Sequence, residues 1–152
     1  MEIYMNKAIR IILIVPVTLL ILGLLFIFSI PFINDAIAES VAQGLERLPL
    51  PNDTETVESL SIAGKVVGNG NGMQYFGVIL VKSSLSLDEL REHYGRCAGR
   101  EVYVCEQRGN RIEVLDSPIT FESELTDGEK YYAVYSFGSA PYPFVQFDLR
   151  GH

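Results

Sequence analysis

IILIVPVTLLILGLLFIFSIPFI, residues 11–33, is a run of 23 residues without a single charged side chain. As an α-helix it reaches about 34 Å, enough to cross a hydrocarbon core of about 30 Å. In lipid every backbone N–H and C=O must find its partner inside the segment, which makes a helix the only form for a lone span. Pro16 and Pro31 stand towards its two ends, where a missing hydrogen bond is most easily replaced. Thr18 and Ser29 are its only hydroxyls, and a span without an ionisable group cannot by itself relay protons or move ions.

The flanks set an orientation. Lys7 and Arg10 precede the run, while Asp35, Glu39 and Glu46 follow it against one Arg47. The positive-inside rule then places residues 1–10 in the cytoplasm, makes residues 11–33 a signal anchor in the bilayer, and puts the remainder outside, as a single-pass protein of the cell membrane. A cleaved signal peptide is the competing reading, because Ala36-Ile37-Ala38 has a small-x-small pattern just past the run. Cleavage near Ala38 would release a secreted domain. Against it, the apolar run far exceeds the usual 7–15 residues of a signal peptide's core.

Composition narrows the function classes. The chain has 152 residues, 48% of them hydrophobic and 20% charged, with a net charge of −7. Residues 34–152 carry 10 basic against 18 acidic side chains, the wrong sign for a nucleic-acid partner. Two cysteines rule out both a multi-disulfide scaffold and a four-cysteine zinc site.

Beyond the span, Ile37, Val41, Leu45 and Leu48 recur at helical spacing, so residues 34–52 read as a helical stalk closed by the proline-stiffened linker Leu48-Pro49-Leu50-Pro51-Asn52. That stripe is expected to dock on the chain's own domain rather than form a seam with a partner helix.

Residues 53–152 then read as one α+β domain, an antiparallel sheet of about six or seven strands covered by one helix. Residues 56–67 form a first strand, interrupted by Gly64 as a bulge or close backbone approach. Residues 73–82, MQYFGVILVK, are apolar on both faces and read as a central strand. Gly68-Asn69-Gly70-Asn71-Gly72 between them is a hairpin turn rather than a nucleotide loop, because its spacing is G-x-G-x-G and a strand follows it.

Ser86-Leu87-Asp88-Glu89 is a capping box that starts a helix whose apolar stripe is Leu87, Leu90, Tyr94 and Cys97, with Gly99 as its stop. Residues 101–107, 111–115, 119–125, 131–137 and 144–149 read as further strands, the first two joined by Arg108-Gly109-Asn110.

Residues able to do chemistry are few. His93 lies four residues after Glu89 as a solvated pair, and His152 is the last residue. No H-E-x-x-H, C-x-x-C or G-x-S-x-G spacing occurs, so no catalytic, cofactor-binding or metal-ligating residue is nominated. Asp148 is the one carboxylate in an apolar setting, Phe147-Asp148-Leu149-Arg150; as part of a strand it would share a solvated face with Arg150.

Outside the cytoplasm Cys97 and Cys105 could close a disulfide worth about 2.5 kcal/mol. A run of about 13–16 Å along the returning strand sets their Cα atoms at odds with the roughly 7 Å limit. Tyr75, Tyr132 and Tyr142 are the candidates for a binding surface, since tyrosine is enriched at interfaces.

The expectation from sequence is therefore a non-catalytic extracytoplasmic module that binds a protein partner or envelope component, with small-ligand sensing as the alternative.

Overall fold

The computed structural model describes residues 7–68, 72–99, 101–140 and 142–152, with residues 7–11 and 13 described by backbone alone. Its longest element is α1, Lys7–Glu46, a helix of 40 residues containing Pro16 and Pro31. At 1.5 Å per residue it is about 60 Å long. Every described side chain from Ile12 to Phe28 is exposed, and burial begins at Ile30, which is 1% exposed. α1 is long and apolar enough over its first half to span a membrane.

Four strands follow: β1 (Thr54–Gly64), β2 (Gln74–Ser83), β3 (Tyr103–Gln107) and β4 (Tyr131–Gly138). They form one antiparallel sheet in the order β1-β2-β4-β3. The α2 helix, Leu87–Cys97, joins β2 to β3. Two 3-10 turns, Pro143–Phe147 and Leu149–Gly151, end the described chain.

The central strands β2 and β4 are largely buried on both faces, for two different reasons. On one face both α1 and α2 cover the sheet. Contacts along α1 step from Asn34 against Tyr75 to Ala42 against Gly77, and on to Leu45 among Ile79 and Val81. The helix therefore runs along β2 in the same direction. It also lies unusually close, because a Cβ added at Gly77 would stand 2.5 Å from the Ala42 nitrogen. Small residues on both sides, Gly77 below and Ala38 and Ala42 above, make that approach possible. The expected stripe does dock on the sheet, but its centre is one position off: Ala38, Val41, Ala42 and Leu45 are buried while Ile37 and Leu48 are half-buried.

The other face carries Phe76, Val78, Leu80, Tyr131 and Ala133, and it is capped by the long connection between β3 and β4 through Ile112, Leu115 and Phe121.

Three expected strands are absent, which reduces six or seven to four. Residues 111–115 and 119–125 meet only at one isolated bridge, Arg111 to Thr120. The alternation over residues 119–125 is real, with Ile119, Phe121, Ser123 and Leu125 buried or half-buried between exposed Thr120, Glu122 and Glu124, while Ile112 and Leu115 are buried three residues apart. It arises from a loop pressing alternate side chains into the sheet, not from strand pairing. Its backbone is held piecemeal: Phe121 N–H donates to Asn110 O, Asp116 N–H to Val66 O, and Glu58 accepts from the Glu122 and Ser123 amides at 3.0 and 2.8 Å. Burial pushes the Glu58 carboxyl up, but these two amide bonds outweigh it and leave the group below its usual range. Residues 144–149 fall in 3-10 turns instead of a strand. Nor is the sheet covered by one helix alone, since α1 shares that face with α2.

The capping box is formed as read: the Glu89 amide donates to the Ser86 hydroxyl, and the Ser86 amide donates to the Glu89 carboxylate at 2.8 Å. The helix ends on Ala98 in extended conformation, so Gly99 supplies no left-handed cap. Of the glycine-rich turn, Asn69, Gly70 and Asn71 lie outside the described residues, while Gly68 and Gly72 both have positive φ. Gly64 marks a close approach, 3.4 Å from its virtual Cβ to the Arg150 carbonyl; the β-bulge sits instead at Val57, between Thr56 and Glu58.

Candidate functional site

Where α1 first meets the sheet, five polar side chains converge in an otherwise apolar setting. Asn34 is fully buried, Asp148 is 4% exposed, and Tyr75 is 1% exposed. The Tyr75 hydroxyl donates to Asn34 Oδ1 at 2.8 Å. Asn34 Nδ2 donates onward to Asp148 Oδ2 at 2.9 Å and to the Val145 carbonyl at 3.2 Å. Arg150 grips Asp148 through Nε and Nη2, the latter at 2.7 Å, and its backbone amide adds a third donor. The same guanidinium reaches across to α1, donating to Asp35 Oδ1 at 2.7 Å and to the Pro31 carbonyl at 3.0 Å.

The chemistry of this cluster follows from its donors. The Arg150 guanidinium holds the Asp148 carboxyl down at about 2 against the opposing effect of burial, with Asn34 assisting. Arg150 is pushed up by the same pairing. Burial, and then the Asp148 charge, push the Tyr75 phenol up. At neutral pH Asp148 is thus a fixed anion, Arg150 a fixed cation and Tyr75 neutral, each with its hydrogen-bond partner. Such a set is poor at moving protons and good at fixing two segments in register. It clips residues 145–150 onto residues 31–35 of α1.

The expected strand with Asp148 on a solvated face is therefore corrected. Asp148 caps the second 3-10 turn by accepting from the Arg150 amide, and its side chain points inward. Asn34, which sequence reasoning passed over, is the centre of the network. Its one signal was an amide immediately after a 23-residue apolar run.

Two of the three tyrosines nominated for a binding surface are interior. Tyr75 belongs to the polar cluster, and Tyr132, 2% exposed, donates to the Leu85 carbonyl at 2.7 Å. Both are held by the alternation of central strands covered on both faces. Tyr142 alone is exposed, stacked on Phe144 with ring centroids 5.4 Å apart. The same segment exposes two further apolar side chains, Phe147 and Leu149, which the strand reading concealed.

Cys97 and Cys105 are separate thiols. Cys97 donates to the His93 carbonyl within α2, whereas Cys105 faces the Ala133 carbonyl from β3 and is pushed up by burial. His93 is not paired with Glu89; its Nε2 lies 2.7 Å from the Pro49 carbonyl and ties α2 to the linker. Among the described residues no group of three or more His, Cys, Asp and Glu is arranged to hold a metal ion.

At the opposite end of the sheet lies a shallow cleft of about 450 Å³, between the start of α2 and the adjoining ends of β3 and β4. Glu106, Arg108, Asp127, Glu129 and Lys130 give it both signs of charge, and Gln107 lies at its floor. The Gln107 Nε2 donates to the Gly109 and Arg111 carbonyls, but its buried Oε1 has no partner. Comparison with family models, curated proteins and solved structures returns no match for this chain.

Proposed function

We propose that the protein is a single-pass membrane protein that uses α1 to display a non-catalytic interaction module on the extracytoplasmic side, where it takes a protein partner or envelope component. One observation carries this reading: a single unbroken helix runs from an exposed apolar half onto the sheet and is fastened there by the Asn34–Asp148–Arg150 cluster. A domain held this way has a fixed height and orientation, with its charged cleft directed away from the apolar half of α1. Display of that kind suits recognition more than turnover.

The same cluster supports a retained anchor over a cleaved leader. Ala38 lies inside α1 at 1% exposure, and cutting there would strip Asn34 from both Tyr75 and Asp148. Topology with the N-terminus in the cytoplasm rests on Lys7 and Arg10.

Purification of the tagged full chain from its own membranes in mild detergent tests the proposal. A stoichiometric partner is expected, and reversing the cleft charges in Arg108→Glu with Lys130→Glu should release it. A small-ligand site at the cleft is the second reading, favoured by the unpartnered Gln107 Oε1. It would instead yield a partnerless protein stabilised by a small molecule, with the stabilisation lost in Gln107→Ala.

A further inference from the structure

The polar cluster has a consequence for the segment it holds. Residues 142–150 are drawn down alongside α1, and the Phe144 ring packs edge-on against Phe26 with centroids 5.2 Å apart. Phe26 lies seven residues inside the end of the apolar run at Ile33, about 10 Å along the helix axis. A bilayer spanned by residues 11–33 would therefore meet this segment.

We propose that residues 142–149 form a foot that seats Tyr142, Phe147 and Leu149 in the headgroup layer of the bilayer that α1 crosses. This rests on the reading of α1 as a membrane span and adds a second lipid contact to it. Three observations point to lipid as the occupant. First, the segment presents apolar surface where it lies against α1: Phe147 and Leu149 are 68% and 85% exposed, and Phe144 of the same segment packs on Phe26 in the exposed apolar half of α1. Second, the segment's one charged side chain, Asp148, is buried and paired, so nothing ionised faces outward from residues 142–149. Third, the backbone hydrogen-bonds internally, Val145 N–H to Tyr142 O and Asp148 N–H to Val145 O, as entry into a water-poor layer demands. An aromatic flank with a polar tip is also the composition found at membrane interfaces.

The chain contains no tryptophan, so single-tryptophan variants report depth without background. Full-length Phe147→Trp, Leu149→Trp, Leu22→Trp and Leu50→Trp would each be reconstituted at low density into phosphatidylcholine bilayers carrying brominated acyl chains. Leu22 lies in the exposed apolar half of α1, and Leu50 lies beyond its far end. All four positions are exposed, so the fold should tolerate the changes.

Quenching is expected for the tryptophans at 147 and 149, strongest with bromines near the headgroups, together with deep quenching at 22 and none at 50. Quenching at 22 without any at 147 and 149 would overturn the foot and leave the anchor standing. A blue-shifted but unquenched signal at 147 and 149 would place protein, such as a second copy, on the patch and would likewise overturn the proposal. Absence of quenching at 22 would remove the anchor, and the foot with it.

Discussion

Asp148 shows how far a single carboxylate depends on its neighbours. Its folded pKa near 2 lies below the ordinary value near 3.9, so its contribution is fully present above about pH 4 and is lost as pH falls through 2. The shift corresponds to about 2 kcal/mol for this almost fully buried group. Asn34→Ala should destabilise the protein by about 1–3 kcal/mol, because it leaves the Tyr75 hydroxyl buried and unpaired and takes one donor from Asp148. Denaturant titrations of the full chain between pH 7 and pH 2 should show that loss at neutral pH. They should also show the acid transition of the variant moved to higher pH. An acid limb identical to that of the parent chain would mean that Asn34 does not help to hold the carboxylate ionised. Asp148 and Arg150 were visible in the sequence as alternating charges, and alternation alone pointed them at water. What reversed the reading is Asn34, more than 110 positions away, a long-range partner that no local pattern contains.

Elements were legible where the signal is local. The capping box of α2, the central strand within residues 73–82 and the continuation of α1 past the apolar run all rest on short-range spacing, and the structure contains each of them. Residues 119–125 of the loop between β3 and β4 read as a strand because burial of every second side chain is what a period of two records, with or without a strand partner. The docking of α1 was half legible. Large side chains drew the eye to Ile37 and Leu48, whereas the contact is centred on Ala38 and Ala42, where small size matters more than hydrophobicity. That distinction predicts an order of effects. A Cβ at Gly77 meets the backbone of Ala42 at 2.5 Å, and a helix held at both ends cannot move aside cheaply. At Gly138 the equivalent atom meets the Val41 side chain at 2.5 Å, with Tyr75 Cβ in ordinary contact at 3.5 Å, so there a side chain rather than a backbone must shift. Gly77→Ala should cost about 3 kcal/mol, the upper part of the range for overpacking, and Gly138→Ala about 1 kcal/mol. Thermal melts of the two variants would show whether the order holds, and equal losses would contradict a backbone-limited contact at Gly77.

At the scale of the whole molecule, the linker at residues 48–52 reads in sequence as the boundary of an independent domain, yet the packing runs across it. Ile30, Ala38, Val41, Ala42 and Leu45 are each no more than 4% exposed, and Leu45 sits in one cluster with Ile79, Val81 and Tyr132. Removing α1 would uncover one face of β2 along with Tyr75 and Asp148. The three large side chains alone, at roughly 1.5–3 kcal/mol each, stabilise by an amount comparable to the 5–15 kcal/mol of a typical small protein. A fragment of residues 53–152 should therefore be insoluble or molten, without a cooperative transition or fixed tyrosine ellipticity in the near ultraviolet. A fragment of residues 29–152 keeps the docked half of α1 and the whole polar cluster, and it should melt cooperatively, with its exposed foot making it bind detergent micelles. Cooperative folding of residues 53–152 would show that α1 is only an anchor. Failure of that fragment beside success of the longer one would make α1 part of the domain's own core, so that placing its apolar half and folding the sheet are one problem for this chain.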